Sequence, residues 1–589
     1  MQRSYDPFEI ASQPASRLAF STDTDFGIDT PRPMRVIVIG CGVSGIYAGI
    51  RLPRSIPNLS LTIFEKNADI GGTWFENRYM GCACDIPAHL YAFQFAPNPD
   101  WSSFYAPASE IRKYWASVAE KYDVLKYVQL ERKVIGMYWE RDQEGMWSVD
   151  VEEVGTGNRT TSLANVVLSC TGGLNEWKWP DVKGLNDFGG KLVHSANWDD
   201  GYDFEGKKVA LIGGGSTGIQ ILPRLQKIAK QVDQYVRGPT WIGFPFLGEE
   251  LDDPFTDEER LRFISDPAEH LRYRQRLMGT LNSMHTFTIS GSKMQTEGQA
   301  LFAKNMEEKL AASKNGDIIK QLKPSFPAGC RRLTPGPGYL EALTKDNVGF
   351  VGGGIGEIVK DGIVDGKGTK RSYDAIVCAT GFNTSFTPRF PIVARGVSLG
   401  DKFRDFPRAY CSVSVDAMPN YFMSMGPNSA VGSGDLIIVI QTAVDYAVQC
   451  IAKLQSENYK SMSPQGRAVD EWQEYSQSYF RKTVFGQKCR SWYKAGNVDG
   501  PIYALWPGSC LHAAKTLRNP RWEDYEYEQF PGRSSTNRFA YLGNGFTDAE
   551  MKGHDTAWYV GADPELVLSV GQTEAALIRR AKSQLTNGK

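Results

Sequence analysis

Two glycine turns of the form G-x-G-x-x-G constrain this chain more than any other feature. The first, Gly40-Cys41-Gly42-Val43-Ser44-Gly45, follows the apolar run Arg35-Val36-Ile37-Val38-Ile39. It precedes a helical Ile46–Leu52 and a second apolar run, Leu61-Thr62-Ile63-Phe64-Glu65. A short Val/Ile run bounded by glycine reads as a buried parallel strand. Strand, turn, helix and strand together are the setting in which this motif cradles a pyrophosphate at a helix N-terminus. The pattern returns at Lys208–Ile212, Gly213-Gly214-Gly215-Ser216-Thr217-Gly218, a helix over 219–230 and the strand Val232–Val236.

The two turns differ where the ribose is read, about 20 residues past the last glycine. The first has Glu65, which accepts hydrogen bonds from ribose hydroxyls and repels a 2′-phosphate. The second has Arg237, followed by Gly238, and a guanidinium pairs with that phosphate. The alternative for Arg237 is a solvated charge at a strand end. One dinucleotide without a 2′-phosphate and one NADP suggest an electron relay, with FAD and NADPH as the pair. Val166–Ser169 and Ala375–Cys378 read as returning strands that bracket the second fold as an insertion in the first.

The expected fold class is therefore α/β: two Rossmann-like dinucleotide-binding domains, the NADP domain inserted in the FAD domain, with a helical insertion. The expected boundaries are an arm over 1–33, FAD-binding parts at 34–173 and 379–589, NADP-binding parts at 174–252 and 328–378, and helices over 253–327. That helical stretch is announced by a capping box at Thr256–Glu259 and by Asp266-Pro267. It reads either as a substrate wall or as a stabilising appendage.

Composition removes other classes. Lys plus Arg number 66 and Asp plus Glu 67, a balance that argues against a nucleic-acid protein or a polybasic membrane binder. The ten cysteines are scattered without a Cys-x-x-Cys pair, and reduced thiols in the cytoplasm are the simplest reading. No two histidines have metal-ligand spacing, so no metal is expected. Met1–Phe20 lacks the apolar core of a signal peptide, and neither Val36–Leu52 nor Leu436–Leu454 reads as a membrane span. The expected partners are a small-molecule substrate and O2, in a monomer or homo-oligomer. A disulfide reductase is rejected, because Cys82 and Cys84 are too close in sequence to close an unstrained ring.

The stretch Phe188-Gly189-Gly190-Lys191-Leu192-Val193-His194-Ser195-Ala196-Asn197-Trp198-Asp199 resembles the F-x-G-x-x-x-H-x-x-x-W-D fingerprint of the Baeyer–Villiger monooxygenases. Gly71-Gly72-Thr73-Trp74, Asn77-Arg78-Tyr79 and Cys84-Asp85 are similar to that family's flavin-side segment. Cys330-Arg331-Arg332-Leu333 is similar to its active-site arginine segment. Ala379-Thr380-Gly381-Phe382 and Ser491-Trp492-Tyr493 match later segments. Met80 and Arg331 depart from the family's usual Pro and Lys. The segments around Trp506 and Trp522 resemble members from fungal secondary metabolism.

The resemblance implies FAD held by Gly40, Gly42, Gly45, Glu65, Gly72, Thr73, Trp74, Asp85 and Tyr91. It implies NADPH held by Gly213, Gly214, Gly215, Ser216, Thr217, Gly218, Gln220, Arg237, Gly238 and Arg331, with Trp492 closing over it. Arg332 is the implied catalytic cation, suited to stabilising a peroxyanion without donating a proton, and Asp85 orients it. The product implied by the resemblance is an ester or lactone of a bulky ketone. The residues alone leave other roles open: Arg332 as a phosphate ligand, Asp85 as a cap, Trp492 as core, and the C-terminal aromatics as pocket lining or core. N- or S-oxygenation and a non-catalytic NADPH-binding protein are the competing functions. His194 reads as a hinge residue and not a base.

Overall fold

The computed structural model describes residues 24–244, 254–313, 318–530, 537–557 and 560. Most of the expected N-terminal arm and the end of the C-terminal extension lie outside the described residues. The chain begins with β1 (Met34–Ile39), α1 (Val43–Ser55), β2 (Leu59–Phe64), β3 (Val128–Gln129) and β4 (Val166–Ser169). It then leaves this layer to build β5 (Lys191–His194), β6 (Lys208–Ile212), α2 (Ser216–Ile228), β7 (Gln231–Val236), β8 (Val348–Gly352) and β9 (Ala375–Cys378). It returns with β10 (Tyr421–Met423) and the long helix α3 (Leu436–Ser456).

Two five-stranded sheets result, ordered β10-β4-β1-β2-β3 and β8-β7-β6-β9-β5. Every neighbouring pair in both is parallel. The second sheet is thus inserted, in chain order, between β4 and β10 of the first.

Burial on both faces explains why these strands read as unbroken apolar runs. Val36 and Val38 of β1 pack with α1 and α3, while Ile37 and Ile39 meet Trp139 and Trp147 of a third, mostly antiparallel sheet. In β6, Val209 and Leu211 face one core and Ala210 and Ile212 another. Among the described residues α3 is the one helix long and apolar enough to cross a membrane. Its Ile437, Val444, Ala447 and Ile451 are instead buried against α1 and the helix Cys510–Leu517.

The charged stretch after residue 253 is helical as its caps predict, over Asp257–Ser265, Pro267–Ser283, Lys293–Leu310 and Ile318–Leu322. Thr256 and Glu259 form the reciprocal capping box, and Asp266 accepts from the N–H groups of Ala268 and Glu269. These helices, read from sequence as part of the second domain, also dock on the first. The buried Arg274 donates to the His89 carbonyl at 3.0 Å and to Gln94 at 2.7 Å. Ser433, just before α3, donates to the Leu281 carbonyl at 3.3 Å. The insertion therefore spans both layers, beside the loop that follows Asp85.

Candidate active site

The first glycine turn is built so that backbone can approach a ligand. Gly40 has φ +97°, and a Cβ on Gly45 would stand 2.0 Å from the Gly40 carbonyl oxygen. Only glycine fits there. Helix α1 opens at Gly42 with no side chain capping its N-terminus, so its first N–H groups remain available to an anion. Gly72 comes close to Gly42 from the facing loop, and Thr73 starts the short helix Thr73–Glu76.

Glu65 is buried at the end of β2 and accepts from the N–H groups of Cys41 at 2.8 Å and Asn67 at 2.9 Å. Burial raises its proton affinity and these donors oppose the rise. Beyond it, Trp74 donates its indole N–H to Tyr91 at 3.2 Å.

The second turn repeats the backbone device. Gly213 has φ +130°, and a Cβ on Gly218 would meet the Gly213 carbonyl at 2.4 Å. A Cβ on Gly215 would meet nothing within 4 Å, and Gly215 heads α2 without a side-chain cap. Ser216 at the start of α2 exchanges a hydroxyl hydrogen bond with Thr334 at 2.5 Å, and Thr217 follows it. Gln220 accepts from the Tyr79 hydroxyl at 2.6 Å and donates to the Ala83 carbonyl at 3.1 Å. Its amide is thus engaged in tying the second sheet's first helix to the flavin-side segment.

Arg237 is exposed directly after β7, with Gly238 beside it. Arg331 donates to the Pro239 carbonyl at 3.0 Å, and its guanidinium carbon lies 4.7 Å from the Phe326 ring centre. Its Nε is buried without a hydrogen-bond partner.

Between the two turns, Asp85 and Arg332 meet from 247 residues apart. Arg332 Nε donates to Oδ2 at 2.9 Å, and Nη2 donates to Oδ1 at 2.7 Å and to Oδ2 at 2.6 Å. A fork on a carboxylate fixes the plane of the guanidinium. The Arg332 side chain keeps 44% of its surface open, so the paired guanidinium remains accessible. The Asp85 charge, outweighing desolvation, raises the proton affinity of Arg332 further, and the cation persists at any working pH. A small cleft lined by Asp85, Ile219, Gln220 and Pro335–Pro337 joins this pair to the start of α2. A larger cavity of about 640 Å³, lined by Trp74, Tyr79, Tyr105 and Arg112 among others, includes neither Asp85 nor Arg332.

His194 ends β5, buried and stacked on Trp177 with ring centres 4.6 Å apart. Its Nδ1 accepts from the Ala196 N–H, and its Nε2 meets Thr380 at 3.2 Å. Burial lowers its pKa to about 4, so the ring is neutral with both nitrogens engaged. That arrangement suits a joint and not a base.

The cysteine reading needs correction. Eight of the ten are free, but Cys330 and Cys489 form a disulfide across 159 residues, with Cα atoms 6.4 Å apart. Sequence spacing carries no information about two loops that meet only in the folded chain.

The bond joins the arginine segment to the segment bearing Trp492. Trp492 is half-buried with its ring 4.7 Å from that of Tyr493, beside the cluster of Phe480, Phe485 and Tyr493. The buried Lys494, not singled out from sequence, folds this segment by donating to the Gln487 carbonyl at 2.6 Å. Of the C-terminal aromatics, Phe480, Tyr493, Tyr503, Trp506 and Tyr525 are buried core.

A family model for flavin-binding monooxygenase-like proteins matches residues 33–246. The FAD-binding monooxygenase moxY of Dothistroma septosporum is 35% identical over 573 residues, covering 95% of this chain and 90% of that protein. A Baeyer–Villiger monooxygenase of Pseudomonas aeruginosa is 33% identical over 486 residues, covering 81% and 88%. Among solved structures, cyclohexanone monooxygenase from Rhodococcus sp. Phi1 bound to NADP+ superposes with a TM-score of 0.72 at 24% identity, covering 85% of this chain and 100% of that one.

Proposed function

The chain belongs to the FAD-binding Baeyer–Villiger monooxygenases, NADPH-dependent enzymes that insert one oxygen atom of O2 beside a ketone carbonyl, and we propose that its ketone is a bulky product of secondary metabolism. The Asp85–Arg332 fork between the two glycine turns is the observation that carries the site assignment.

In this reading FAD lies along Gly40–Gly45, Gly72–Trp74 and Glu65, and NADPH along Gly213–Gly218, Arg237 and Arg331. The residues fit both groups. Each turn has glycines where a Cβ would strike backbone, each helix start is uncapped, and the two ribose-reading ends carry opposite charge. The corresponding domains are 34–173 with 379–589 for FAD, and 174–252 with 328–378 for NADPH. Bound, the flavin supplies two-electron activation of O2 at the expense of NADPH.

The protein's own contribution is electrostatic. Arg332 is a planar cation that cannot release a proton near neutrality, so it stabilises an oxygen anion and the charge developing on the carbonyl oxygen without quenching either. Asp85 holds that plane. Trp492 would help to cover bound NADPH and keep water from it. The helices over 253–327, docked through Arg274 beside the Asp85 loop, form a wall of the ketone site.

Incubating the enzyme with NADPH, 18O-labelled O2 and a panel of ketones tests the reading. An ester or lactone carrying one labelled atom is expected. Labelled N-oxides or sulfoxides without any ester would reject it.

A further inference from the structure

Arg237 and Arg490 both lie close enough to Arg331 for their charges to act on it, and sequence reading accounts for only two of these three cations. Arg237 follows β7. Two residues on, the Pro239 carbonyl accepts from Arg331 at 3.0 Å, which brings Arg331 to the Arg237 loop. The Cys330–Cys489 bond then places the residue after each cysteine at one joint, and those residues are Arg331 and Arg490. Among the described residues none of the three forms an ion pair with a carboxylate. Arg331 also carries a buried Nε with no partner.

We infer that Arg490 is a third cation of the NADPH 2′-phosphate site, and that the Cys330–Cys489 disulfide holds it there. The inference rests on the assignment of Arg237 and Arg331 to that phosphate.

Like charges collected at one place repel unless an anion is shared among them. The proton affinity of Arg331 is lowered by burial, then by Arg237 and by Arg490, which is the mark of that repulsion. A phosphate monoester, with close to two negative charges and three acceptor oxygens, is the anion such a set of forks matches. The unsatisfied Nε of Arg331 supplies a donor in need of an acceptor.

Arg490 belongs to the segment that carries Trp492 and is closed by Lys494. The same phosphate that distinguishes NADPH from NADH therefore draws in the segment that covers the cofactor. The bond itself forms when two thiols give two electrons and two protons to hydrogen peroxide, leaving two waters. A phosphine reductant reopens it.

Calorimetric titration with adenosine 2′,5′-bisphosphate, NADP+, NAD+ and inorganic phosphate tests this without turnover. Arg490→Ala is expected to weaken the bisphosphate and NADP+ by about tenfold and to leave NAD+ unchanged, with Arg490→Lys recovering part. Cys489→Ser, or reduced wild-type protein, is expected to lose several-fold, and non-reducing peptide maps to contain the 330–489 cross-link.

If Arg490→Ala binds the bisphosphate like wild type while Arg237→Ala does not, Arg490 is excluded and the phosphate assignment stands. If neither variant weakens it, the assignment itself fails. Inorganic phosphate competing as well as the bisphosphate would overturn the inference in favour of a free anion. Full alkylation of Cys330 and Cys489 in unreduced protein, or wild-type affinity in Cys489→Ser, would overturn the role of the bond.

Discussion

The two glycine turns share a backbone and differ in nearly everything placed around it. At the first, a buried carboxylate, Glu65, is locked by two backbone donors within one stretch of chain. At the second, Arg237 is exposed, and Arg331 reaches the loop after it from a distant segment, donating to the Pro239 carbonyl. The first site is thus preformed by local sequence, while the second is assembled by tertiary contacts. A tightly held prosthetic group suits the former, and a cofactor that must enter and leave suits the latter. The Asp85–Arg332 pair ties the segment after the first turn to a segment after the second.

The largest effect expected from breaking this arrangement is at that shared pair. Arg332→Ala should retain folding and bound flavin yet lower ester formation by about 10²–10³, by analogy with loss of one preorganised oxyanion donor. Arg332→Lys should recover only part, lacking the planar fork. Stopped-flow spectra separate flavin reduction from product formation, and near-normal ester yield in Arg332→Ala would move the role to Arg331.

Next comes the charge contrast. Arg237→Ala should reduce NADPH affinity roughly 10- to 150-fold, the loss of one charge-assisted phosphate contact, and leave NADH affinity unchanged. An unaltered NADPH/NADH preference would remove Arg237 from the site and erase the contrast with Glu65.

The backbone devices give a smaller effect, read as stability. Gly45→Ala places a Cβ 2.0 Å from a backbone carbonyl that cannot move aside. A cost of about 1–3 kcal/mol or more is expected, with flavin-poor protein on purification. Gly215→Ala meets nothing within 4 Å and should cost only what a poorer helix N-cap costs, about 1 kcal/mol or less. Equal melting temperatures for the two variants would contradict this difference.

The smallest effect is a pH dependence belonging to the joints around the cofactor cradles. Burial lowers His89 to about 3 and His194 and His270 to about 4. An unfolded histidine titrates near 6.5, so on acidification the unfolded chain takes up protons first. Stability is fully present above about pH 6.5 and is lost as the pH falls toward 4. Melting temperatures at pH 7.5 and 5 should differ by a few degrees, and His270→Gln should narrow the gap. His270 meets His89 at 2.9 Å, tying an insertion helix to the loop after Asp85.

What the sequence determined by itself was whatever depends on near neighbours. Strand, turn and helix around Gly40 and Gly213, the caps at Thr256 and Asp266, and the contrast of Glu65 with Arg237 are local patterns. Their physics is dihedral freedom, apolar periodicity and charge at a fixed offset. Resemblance to a family extended this to Asp85 and Arg332, whose pairing no spacing could reveal.

Tertiary structure alone decided four further matters. It joined Cys330 to Cys489, where scattered cysteines had read as free thiols. It engaged Gln220 between the two layers. It docked the helical insertion on the first domain through Arg274, and buried Phe480, Tyr493, Tyr503, Trp506 and Tyr525 of the C-terminal aromatics as core. Each depends on which distant segments share a few ångströms of space. That is set by the packing of whole layers, and no window of sequence contains both partners.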